Sequence, residues 1–183
     1  MAEWSKASAW RADGPMGRVG SNPTPGANIC YMGETMTKNE NFKRFKFLEH
    51  TADVYIAAYG RTLEEAYANA GVALFEVMTD TSKVDSKVCE KIEVEGFDKQ
   101  SLLYNWLEEL LYLFEVKNLV FSKIRVQSIS KKNDTFILTA EAWGEPFDPQ
   151  KHEQRTLVKA VTYSLMEISE ENGKYVVKFV LDI

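Results

Sequence analysis

Asp53-Val54-Tyr55-Ile56-Ala57-Ala58-Tyr59-Gly60, followed at once by Arg61-Thr62-Leu63-Glu64-Glu65-Ala66, is the stretch whose reading decides the fold class. Its first half is a short apolar and aromatic run closed by glycine, which predicts a strand. Thr62 and Glu65 then have capping-box spacing, in which a hydroxyl and a carboxylate satisfy the orphan amides of a helix start. Leu63, Ala66, Tyr67, Ala70, Ala73, Leu74, Val77 and Met78 recur at steps of three and four, an apolar stripe suited to lie on a sheet. A strand running directly into an amphipathic helix sets the class as α+β.

Working outward, Phe45-Lys46-Phe47-Leu48 is a partner strand across a polar turn that carries Asp53. A strand is predicted over 89–94, broken by Gly96 ahead of a second helix that begins near Asp98 or Ser101. In that helix Leu102, Leu103, Trp106, Leu107, Leu110, Leu111 and Phe114 cover more than one face, which marks it as the central core helix. Segments 119–129 and 135–143 read as strands paired antiparallel through the polar turn 130–134. The strand at 175–183 follows Glu171-Asn172-Gly173, a hairpin signal. Segment 157–168 stays open, because Val158, Val161 and Thr162 favour a strand whereas Leu157, Val161, Leu165 and Ile168 keep helical spacing. The expected architecture is one compact domain, a mostly antiparallel sheet packed by two main helices.

The chain has 183 residues, 45% hydrophobic and 27% charged, the balance of a globular protein. Residues 1–36 hold five of the ten glycines and three of the five prolines with no strand or helix period, so they read as an extraneous leader before a domain at 37–183. Removing the leader takes away three basic and three acidic residues and leaves the net charge at -5. Such a charge offers no field to draw in a polyanion, which argues against direct RNA binding. Cys30 and Cys89 make no disulfide framework, and no apolar run approaches a membrane span of about 20 residues. A cytoplasmic protein without a membrane partner is expected.

Chemistry is sparse. There is no glycine-rich phosphate loop, nucleophile elbow or His-Glu-x-x-His, and His50 and His152 are the only histidines. Asp53 is either a plain turn residue or a carboxylate placed to point outward. Glu145 and Asp148 flank Pro146 and could ligate a cation, although acidic loop residues usually just solvate. At the chain end Asp182 and the carboxylate of Ile183 put two anions beside a buried-type strand. This is either ordinary fraying or a pair held by a hard cation that seeks several oxygen ligands.

Taken together, several blocks resemble the archease family along nearly all of 45–183. They are Leu48-Glu49-His50-Thr51-Ala52-Asp53, Thr62-Leu63-Glu64-Glu65-Ala66, Phe75-Glu76-Val77-Met78-Thr79-Asp80-Thr81, Ser101 through Leu111, Gly144-Glu145, Val158-Lys159-Ala160-Val161-Thr162-Tyr163 and Leu181-Asp182-Ile183. The resemblance implies a protein that is not an enzyme but a cofactor of the RtcB-type, GTP-dependent RNA ligase of tRNA splicing. Such a protein promotes guanylylation of the ligase and its multiple turnover, and meets RNA only through the ligase. It further implies a metal site at Asp53, Asp182 and Ile183, with calcium favoured over magnesium or manganese, and a lysine for ligase activation at Lys159. Two other functions compete with this one: a metal-dependent hydrolase and a general chaperone-like binding module.

Overall fold

The computed structural model describes residues 43–183; the leader 1–36 and Cys30 lie outside them. The element order is β1 (Phe45–Leu48), β2 (Val54–Gly60), α1 (Leu63–Met78), a 3-10 turn at Thr81–Lys83, β3 (Val88–Gly96), α2 (Lys99–Lys117), β4 (Leu119–Lys132), β5 (Thr135–Pro146), β6 (Ala160–Glu171) and β7 (Lys174–Asp182). The class is α+β, as expected. Instead of one sheet there are two antiparallel ones, ordered β1-β2-β7-β6 and β3-β5-β4. Each helix touches both, α1 against β2, β7 and β4, and α2 against β6 and β3, so the helices form the layer between the sheets.

This sandwiching explains the composition of α1. A helix between two sheets is buried on several sides, and Ala66, Ala68, Ala70, Gly71, Val72 and Ala73 are all buried. A Cβ on Gly71 would lie 2.7 Å from methyl groups of both Leu110 and Ile124, so the absent side chain is what lets α1 close on α2 and β4. Thr62 caps α1 by accepting from the Glu65 N–H, while Glu65 reaches back to the Arg61 N–H, one residue beyond the expected capping box. Asp98 and Ser101 complete a reciprocal box on α2.

Trp106, Leu102, Leu103, Leu107 and Leu110 of α2 are fully buried, and the Trp106 indole donates to the Tyr67 carbonyl at 3.0 Å. The Tyr67 hydroxyl in turn donates to the Lys99 carbonyl, and burial pushes its pKa well up. Both hairpin turns are tighter than the polar segments suggest. Asn133-Asp134 alone links β4 to β5, and Asn172-Gly173, both at positive φ, links β6 to β7.

The open segment resolves as strand β6, starting at Ala160 and pairing with β7. Its register shifts between Thr162 and Glu167, and Leu165 inside that bulge has φ +52°, a costly conformation for a leucine.

Candidate metal and activation site

Four residues singled out above fall at one end of the first sheet. Val54 stands opposite Leu181 and Ala160 opposite Asp182. One residue further in the same registers, Asp53 falls beside Asp182 and Lys159 beside Ile183. Residues directly opposite in antiparallel strands share a sheet face. Asp53 and Asp182 therefore share the face of Tyr55 and Val180, turned away from the core face of Ile56, Leu181 and Phe179.

Each member is held by its neighbours. Asp53 sits in the turn between β1 and β2, its N–H donating to His50 Nδ1 at 3.3 Å, and its side chain is 34% exposed. His50 is thus bound to the turn, edge-on to Tyr55. Ile183 packs its side chain against the core, which fixes the oxygens at its carbonyl carbon. Lys159 donates its main-chain N–H to Asp182 O at 2.8 Å and its Nζ to Ile183 O at 2.7 Å.

Lys159 is positioned by Val158 and by two residues to which the sequence pattern gives no such role, Glu108 and Arg155. Val158 is buried, and Glu108 of α2 accepts from the Val161 N–H at 3.1 Å. Arg155 donates to the carbonyls of Glu76 and Thr79 and to the Glu76 carboxylate, while the N–H groups of Arg155 and Thr156 bond Met78 O and Val77 O. Five carbonyl and carboxylate oxygens at the end of α1 thus anchor the segment that leads through Lys159 into β6. Cations at a helix C-terminus also complement its dipole. These partners lie 53 to 79 residues away in sequence, so no local pattern reveals them.

The other acidic candidate resolves differently. Glu145 is buried and accepts from Lys87, Lys151, the Asp85 N–H and His152, while Asp148 caps its own loop. His152 Nδ1 accepts from the Asp148 N–H, so Nε2 carries the ring proton and donates to Glu145. Burial alone would raise the Glu145 pKa. The bonds from Lys151, Lys87, Asp85 and His152 outweigh it and hold the carboxyl well below its usual range. Glu145 is an ion-paired clip between the loops before β3 and after β5.

A carboxyl depressed on folding contributes stability that is present above its unfolded pKa of about 4.3 and lost as pH falls toward the folded value. Thermal unfolding from about pH 5 down to pH 2 should therefore show a falling midpoint. Glu145→Gln should be less stable at neutral pH and flatten that fall; a mutant curve parallel to the wild type would mean the clip contributes nothing.

Among the described residues no group of three His, Cys, Asp or Glu lies close enough to hold a metal ion. A cation at the sheet end would have to draw on Asp53, Asp182 and the oxygens of Ile183. The set is all oxygen, partly exposed and anionic, which fits a hard divalent cation completing its shell with water and excludes a thiolate-type site. No described helix is long and apolar enough to cross a membrane.

The fold is a two-helix, two-sheet domain with two aspartates and one lysine placed at one end of its first sheet. The Archease protein family (MTH1598/TM1083) matches over residues 45–183. Protein archease of Sulfurisphaera tokodaii is 51% identical over 141 residues, 77% of this chain and 99% of its own length. That of Sulfolobus acidocaldarius is 52% identical over 140 residues, 76% of this chain and 99% of its own. The solution structure of Methanobacterium thermoautotrophicum protein 1598 superposes with a TM-score of 0.67 at 40% identity, over 76% of this chain and 99% of that one. The chain belongs to the archease family.

Proposed function

We propose that this protein is a non-catalytic activator of an RtcB-type, GTP-dependent RNA ligase in tRNA splicing, acting in the cytoplasm and meeting RNA only through the ligase. The observation that carries the reading is the meeting of Asp53, Asp182, Ile183 and Lys159 at the ends of β2, β7 and β6 in an archease-family chain. Asp53, Asp182 and Ile183 would hold a divalent ion, calcium first and magnesium or manganese as alternatives. Such an ion would supply concentrated positive charge at the sheet end. Lys159 stands just before β6 on a segment anchored from α1 and α2, so it can present its ammonium to a partner without refolding. A net charge of -5 agrees with a protein partner rather than direct contact with RNA.

Apolar side chains on β6 and just before it favour a protein-binding face. Tyr163 and Leu165 are exposed on β6, and Leu157 just before it. Tyr163 stacks on Tyr104 of α2 with ring centroids 4.4 Å apart. The test is RNA ligation with limiting RtcB-type ligase, GTP and divalent ion, with and without this protein. Expected are several turnovers per ligase in its presence and no ligation by the protein alone. Phosphoester hydrolysis by the protein alone would favour a hydrolase. Suppression of aggregation of unrelated proteins, without ligase stimulation, would favour a general chaperone.

A further inference from the structure

The Lys159 ammonium is bonded to an oxygen of the very residue the proposed ion site uses. Its Nζ donates to Ile183 O at 2.7 Å, on an exposed side chain, while its main chain is tied to Asp182 O. A divalent ion drawing on that oxygen would compete with the ammonium for it and repel it across a short distance. The backbone on either side is fixed by buried Val158 and by the Val161–Glu108 bond. Only the flexible lysine stem is free to respond.

Resting on the reading of Asp53, Asp182 and Ile183 as a metal site, we propose that Lys159 is the site's internal counter-ion, displaced from Ile183 when a divalent ion binds and thereby turned outward. Metal binding and lysine presentation are then one event. The sheet end holds its own cation in the metal-free form and exchanges it for an external one. A ligase that recognises the released ammonium would discriminate the metal-loaded form from the free form without any change in the fold.

The contrary role for Lys159 is a clamp that holds the Ile183 oxygen in place for the ion. The two roles differ in sign. If ion and ammonium compete, linkage requires that removing the ammonium tighten metal binding, whereas removing a clamp must loosen it. Calorimetric titration of the full chain with calcium chloride should therefore show Lys159→Met binding about 3- to 10-fold more tightly than wild type, with Lys159→Arg close to wild type. As a second readout, lysines carrying 13C-methyl groups would be followed by NMR. The resonance missing from Lys159→Met should shift on calcium addition and stay put with sodium chloride of equal ionic strength.

Equal or weaker calcium binding by a folded Lys159→Met would overturn the proposal while leaving the metal site standing. So would an unmoved Lys159 resonance in wild type saturated with calcium. Absence of calcium binding in the wild type would remove the metal site itself, and this proposal with it.

Discussion

Trp106→Ala should lower the unfolding midpoint by about 10–20 °C, the counterpart of roughly 3–5 kcal/mol for removing a buried tryptophan. Trp106 is fully buried in the layer between the sheets, and its indole satisfies the Tyr67 carbonyl of α1. Truncation therefore leaves a cavity beside Gly71, where α1 and α2 approach, and removes the indole's bond to a carbonyl that keeps only its intrahelical partner. Trp106→Phe should keep most of the packing and lose much less. Differential scanning calorimetry of both variants would check this. A loss below about 1 kcal/mol for the alanine variant would mean that the core does not depend on the α1–α2 contact.

Asp53→Ala should behave in the opposite way, with a small effect on stability and a large one on metal binding and ligase stimulation. The side chain is partly exposed in a turn, and the hydrogen bond that ties the turn to His50 comes from the Asp53 main-chain N–H, which alanine retains, while the carboxylate lies 3.9 Å from the same ring nitrogen. A stability change within about 1 kcal/mol is expected. Taking one anion from a three-donor oxygen site should weaken calcium binding by at least about tenfold, read by calorimetry, with ligase stimulation falling in parallel. Wild-type calcium affinity in this variant would remove Asp53 from the ligand set.

The sequence made the helices and most strands legible because their periods are local. Thr62 with Glu65, and Asp98 with Ser101, mark the helix starts directly. The second sheet was not legible. The alanines of α1 read as one stripe, and only the packing shows that both sides of the helix are covered. Segment 157–168 stayed ambiguous for a physical reason: the bulge between Thr162 and Glu167 breaks the alternation that identifies a strand, and leaves Leu165 at a spacing a helix would also give. For the site, Asp53, Asp182, Ile183 and Lys159 were marked by the family resemblance. Their juxtaposition rests on strand pairings between distant segments, and the supports from Arg155 and Glu108 came only with the fold.

The place of β7 has a consequence for synthesis. This strand lies between β2 and β6, so β2 has no partner on that side until β7 has been made. Pairing Val54 with Leu181 closes a loop of well over 100 residues, a late and slow event by its sequence separation. On the ribosome, β2 and α1 would wait with an open sheet edge while α2 and the β3-β5-β4 sheet, whose contacts are nearer in sequence, assemble first. A chain cut short before β7 would lack the middle of its first sheet together with Asp182 and Ile183. The sheet end beside Asp53 and Lys159 can therefore exist only on a chain translated through β7 and Ile183.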